Sequence, residues 1–173
     1  MPTPVRASEI DSTLNSLALT DPGWNRPQWT QMVKKGLVSL GEKLGYHAYA
    51  SQCENPNRPE WLYDVTWLQA GHGRLQGLVT DSPLVAEIEW SSKEGDIMDD
   101  FQKLLLARAD TRLMVFEAKN PQLGMQRTEK LIQQIRAYSR TKAGDYYVLA
   151  CVDNCLSDDE PFNFVCREYV HPG

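Results

Sequence analysis

The apolar positions of the chain change period several times, and each change marks an element. Ile10, Leu14 and Leu17 share one helical side after Ser8 and Asp11, which together resemble a capping box, so a short helix is expected near the start. Pro22, Gly23 and Pro27 then break the chain. From Gln28 to about Leu44, Trp29, Val33, Leu37, Leu40 and Leu44 form a helical stripe, with Lys34, Lys35, Glu42 and Lys43 off it and Gly45 as the stop.

Strand periods follow. "YHAYAS" alternates, and "WLYDVTWL" (61–68) sets Trp61, Tyr63, Val65 and Trp67 against Leu62, Asp64, Thr66 and Leu68. "QAGHG" and "DSP" read as turns around "RLQGLVT", a strand or a loop, before the apolar strand "LVAEIEWSS" (84–92). A helix is expected over about 96–108 through Ile97, Phe101, Leu104 and Leu105, then the strand "TRLMVFEA" and the loop "NPQLG". "MQRTEKLIQQIRAYSR" turns Leu131, Ile132, Ile135 and Tyr138 inward as a helix, and "DYYVLACV" and "FNFVCREYV" close the chain as strands. Strands separated by helices imply parallel crossovers, so this order predicts an α/β domain with a mixed central sheet flanked by helices. Residues 1–27 read as an N-terminal arm with a short helix, and 28–173 as one domain.

The pattern is broken in two places by acids. Asp64 lies within an aromatic-rich strand, where Asp is disfavoured, and Glu87 and Glu89 point the same way out of an apolar strand. If these strands are neighbours, their carboxylates converge and raise one another's proton affinity. A divalent cation resolves that conflict, since Mg²⁺ takes one or two carboxylates together with water and substrate phosphate. The alternative is a solvated edge strand whose acids pair with Lys or Arg.

This order of helix, strands, Asp, Glu-x-acid, helix and strand resembles the PD-(D/E)XK nuclease superfamily, restriction-endonuclease-like enzymes that cut DNA with Mg²⁺. The resemblance covers roughly residues 28–118 and implies a restriction-endonuclease-like core, Mg²⁺ (or Mn²⁺) as cofactor, DNA as partner, and a homodimer. It implies Asp64 and Glu87 as metal ligands with the carbonyl of Ile88 as a third, and Glu89 acting on the attacking water where the family usually carries Lys. Lys103 is then a candidate for a migrated catalytic lysine, and Glu42 for an accessory acid. Lys103 also follows Asp99 at i+4, the spacing of an ordinary surface ion pair. Glu117 and Lys119 form a literal Glu-x-Lys, but a helix separates them from any preceding strand acid. A non-catalytic binding or adaptor protein that keeps the fold is the competing expectation.

Charge and composition narrow the field. A net charge of −5 argues against nonspecific coating of nucleic acid, whose affinity comes from phosphate neutralisation. Arg136, Arg140 and Lys142, with Tyr138 among them, form the local basic stretch suited to DNA phosphates. No apolar run is long enough to span a bilayer and the first residues lack a signal-peptide pattern, so a cytoplasmic protein with reduced thiols is expected. Cys151 and Cys155 have the spacing of half a zinc site, but Cys53 and Cys166 do not supply the second pair.

Overall fold

A computed structural model describes residues 5–18, 25–51, 61–152 and 163–173. The protein is α/β. Strands β1 (His47–Ala50), β2 (Val65–Ala70), β3 (Val79–Glu89), β4 (Thr111–Glu117), β5 (Tyr146–Val152) and β6 (Phe164–Val170) form one six-stranded sheet in chain order. β1, β2 and β3 are an antiparallel meander, β3, β4 and β5 run parallel, and β6 returns antiparallel to β5. Helices α1 (Ala7–Ala18) and α2 (Arg26–Lys43) cover one face, and α3 (Glu94–Leu106) and α4 (Pro121–Ala137) cover the other. Parallel strands need both faces covered, and every residue of β5 is buried.

Local chemistry sets the helix ends. Pro27 does not break the chain, because it occupies the first turn of α2, where a missing N–H is harmless. Ahead of it, Asn25 and Gln28 exchange side-chain and backbone hydrogen bonds as a capping box. Similarly, "NPQLG" is the start of α4 rather than a loop, with the Asn120 side chain accepting from the Leu123 N–H at 2.9 Å. α1 begins at Ala7, which places Ser8 inside the first turn, while Glu9 accepts from the Arg6 N–H. The expected N-terminal arm is packed into the fold: Ile10 and Leu14 are fully buried in the same core as the sheet, and Asn15 bonds the backbone of Phe164.

The "DSP" segment is no turn. β3 runs through it for 11 residues, and the register between β2 and β3 shifts just where Pro83 would otherwise owe the ladder an N–H. "RLQGLVT" supplies only a 3₁₀ turn and the beginning of β3, so no extra strand separates β2 from the acids. β3 is central, between β2 and β4, which removes the solvated edge-strand alternative. Cys151 is buried and Cys166 half-buried; Cys53 and Cys155 lie outside the described residues.

α2 sits close on the sheet because Gly41 meets the Trp67 indole. A Cβ built there would lie 2.7 Å from the ring, whose own side chain is fully buried. Gly41→Ala is therefore expected to cost about 1–3 kcal/mol by overpacking, despite alanine's better helix propensity. Urea unfolding would register this as a lower midpoint at unchanged slope.

Candidate functional site

Side chains alternate along β3, so Ala86 and Ile88 face α1 and α2, while Val85, Glu87 and Glu89 face α3. Asp64 lies just outside β2, not within it, one residue beyond the Val65–Ala86 pair. That step places it opposite Glu87. Asp64 Oδ2 accepts the Ile88 N–H at 2.9 Å. In an extended strand the N–H and C=O of one residue share a side, so the Ile88 carbonyl also faces the Asp64 edge.

Glu87 is 3 % exposed and its Oε1 has no hydrogen-bond partner. Burial, then the charge of Asp64, push its carboxyl up to about 8, and the two acids are close enough to share a hydrogen bond. From α3, Lys103 Nζ stands 3.6 Å from Glu87 Oε1 and 2.6 Å from Asp100 Oδ1, so its nearest acid is Asp100 at i−3. Its ammonium is held above the ordinary lysine range, mainly by the hydrogen bond to Asp100. Glu89 accepts the Ser91 N–H at 2.6 Å, and burial, with Asp100 and Asp96 nearby, raises its carboxyl. Ser91 in turn donates to Asp96 at 2.5 Å, fixing the turn into α3.

The largest omission of the sequence reading is Lys34. It is a buried residue of α2, with Nζ 2.8 Å from Asp64 Oδ1 and 3.0 Å from Ser51 Oγ. Its stem lies along α2 with Val38 and Gly41 at helical spacing, and the small or apolar character of those two was the available signal. Asp100 was likewise missed, since the turn of α3 that faces the sheet is set by packing.

Arg127 organises the rim behind these acids. This buried residue of α4 donates to the Ser92 carbonyl at 2.6 Å and to the Glu117 carbonyl, bridging the ends of β3 and β4. The Glu117 side chain pairs with Arg26 of α2, on the face opposite Glu87, so Glu117 and Lys119 do not join the cluster.

Other expected residues stand apart. Glu42 is exposed at the far end of α2, eight positions or about 12 Å along the axis from Lys34. Arg140 and Lys142 line a cleft of about 720 Å³ with Asp81, Arg108, Arg112 and Asp145, at the start of β3 and β4. Asp81 precedes Glu87 by six residues, about 20 Å of strand, so these cations face away from the acids. Arg136 lies over the Tyr169 ring and pairs with Glu129.

No protein-family model, curated protein or solved structure matches the chain. The chemistry rests on the geometry alone. Among the described residues, no three His, Cys, Asp or Glu side chains form a ready cation cage. Mg²⁺ needs less, because it is commonly held by one or two carboxylates with water and phosphate completing its shell. Asp64, Glu87 and the Ile88 carbonyl fit that smaller requirement, and the buried Glu87 Oε1, which makes no hydrogen bond and has only the Lys103 ammonium at 3.6 Å, is the atom with coordination to spare. Among the described residues, no helix is long and apolar enough to cross a membrane.

Proposed function

We propose that this chain is a Mg²⁺- or Mn²⁺-dependent nuclease that hydrolyses DNA phosphodiesters on a restriction-endonuclease-like core. The observation that carries the reading is the buried Glu87 carboxyl, with one oxygen making no hydrogen bond, held against Asp64 at the end of a central strand. Buried carboxyls whose proton affinity is raised by burial and a neighbouring acid cluster at functional sites. The order α2, β1–β2–β3 antiparallel, α3, then β4 parallel to β3 supports the same assignment.

In this reading Asp64, Glu87 and the Ile88 carbonyl hold the cation. When bound, the cation supplies Lewis acidity to the phosphoryl oxygen and acidifies its water. Lys103 brings an ammonium to the same acids and is aimed to offset negative charge gathering on the attacked phosphate. Glu89 takes the position of the motif lysine. Burial raises its proton affinity above that of an ordinary carboxylate, the direction that a proton-accepting group needs. Lys34 holds Asp64 in place from the opposite face. Cutting both strands of a duplex calls for two copies of such a site, hence a homodimer on DNA.

A second reading has its own support. Both Asp64 oxygens already have partners, Lys34 and the Ile88 N–H, as they would in a binding or adaptor protein that kept the fold and lost the chemistry. One experiment separates the two. Mn²⁺ is titrated calorimetrically into the wild type and Glu87→Ala, and both are incubated with plasmid and single-stranded DNA across a Mg²⁺/Mn²⁺ series. The nuclease binds Mn²⁺ and cuts, and Glu87→Ala loses both activities. Intact DNA throughout the series removes the enzyme and leaves the adaptor.

A further inference from the structure

Next to the carboxylate pair the chain makes a strained turn whose central side chain stays outside the core. Leu62 has φ 67° and is the one non-glycine residue in the left-handed region among the described residues. That conformation is costly for leucine, whose Cβ crowds the backbone. The Tyr63 N–H donates to the Trp61 carbonyl at 2.9 Å, closing a γ-turn of the rare, strained positive-φ form. The Thr66 hydroxyl donates to the same carbonyl at 2.7 Å and clamps it. The strain does not bury the side chain. Leu62 is 78 % exposed, and Trp61, tilted against the Tyr49 ring at 5.9 Å, is 43 % exposed. The neighbours Trp61 and Tyr63 pack on Tyr49 and the core, while the strained residue itself stays in solvent, as at positions that keep strain for function.

The surroundings indicate what it works on. Glu87, Glu89, Asp96 and Asp100 cluster here, and Lys34 and Lys103 are engaged by Asp64 and Asp100. In the proposed reading the phosphate is met by the cation and Lys103 amid several acids, so bases that stack on or are wedged by apolar side chains would add to the grip. Leu62 precedes Asp64 by two residues, at most about 7 Å of chain. A nucleotide whose phosphate lies at Asp64 and Glu87 therefore has Leu62 and Trp61 within reach of its base.

We infer that the Trp61–Leu62 turn is a base-contacting wedge: Leu62 enters the DNA base stack beside the scissile phosphate while Trp61 backs the displaced base. This rests on the nuclease reading above. The wedge, rather than a basic surface, then sets the register of the cut.

The test uses a duplex carrying 2-aminopurine, whose fluorescence rises when it leaves the stack, with Ca²⁺ in place of Mg²⁺ so that binding is read without cleavage. Leu62→Gly keeps the turn, since glycine adopts positive φ freely, and Leu62→Asn is a second variant tolerated there. The wild type is expected to bind and raise the fluorescence. Both variants should lose the signal and about tenfold in affinity, while melting no lower than the wild type and keeping its Mn²⁺ affinity. Wild-type binding and signal in both variants, with cutting in Mg²⁺ intact, overturns the wedge and leaves the nuclease standing. A wild type that binds no DNA at all overturns both.

Discussion

Glu87→Gln is expected to make the metal-free protein more stable at pH 8.5 while removing the proposed cation binding and cleavage. The folded chain holds the Glu87 proton up to about pH 8, against an ordinary 4.5. Between those values the native state binds more protons than the unfolded one, so wild-type stability falls as pH rises through this window. Below it the carboxyl is neutral in both states and the variant gains nothing. Above it the wild type carries the full cost of a buried charge beside Asp64, which the amide does not. At about 1.4 kcal/mol per pKa unit, and with solvent and Lys103 softening the ceiling, the variant should gain about 2–4 kcal/mol at pH 8.5. Thermal melts in EDTA at pH 4.5, 6.5 and 8.5 would read this as a widening gap. A variant that melts below the wild type at pH 8.5 would show that Glu87 is not a buried charge. A substitution that stabilises the fold and abolishes cation binding separates function from stability at one atom.

Lys34→Met should do the reverse. The methionine keeps most of the apolar stem but deletes the ammonium 2.8 Å from Asp64 Oδ1, leaving that carboxylate with the Ile88 N–H and facing Glu87. Breaking a buried pair from one side costs more than the pair is worth, because the remaining charge is stranded. A loss of about 3 kcal/mol is expected, or roughly 6–12 °C in Tm for a chain of this size. Asp64→Asn in the same background should recover most of it, and the double-mutant cycle should return a coupling of about 1.5–3 kcal/mol. Additive losses would mean that Lys34 merely packs. The single variant should also bind Mn²⁺ more weakly, since Asp64 loses the group that orients it.

The order of elements was legible because each carries its own period: α3, β4 and β5 declare themselves through Ile97–Phe101–Leu104, an unbroken apolar run, and a second such run. Asp64 and Glu87 were legible for the converse reason, as carboxylates where the pattern demands apolar side chains. Lys34 was not, because the acid that it meets lies thirty positions away and only Val38 and Gly41 mark its side of α2 as buried. Pro83 misled for a similar reason: a proline normally ends a strand, but here a register shift against β2 removes the hydrogen bond it cannot make. The basic stretch at Arg140 and Lys142 was visible in composition, but which end of the sheet it occupies is a property of topology, and that end is remote from the acids.

The Arg127 bridge has a mechanical consequence. By holding the Ser92 and Glu117 carbonyls at once, it buttons α4 across the mouths of β3 and β4, and a lysine, with its single ammonium, could not replace that fork. The end of β3 that carries Glu87, Glu89 and Ser91 is therefore tied to both β4 and α4 through one side chain. Asp64 is anchored differently, by the Lys34 ammonium and the Ile88 N–H rather than by the β2 ladder. The two acids are thus braced from opposite faces of the sheet, one through α4 and one through α2.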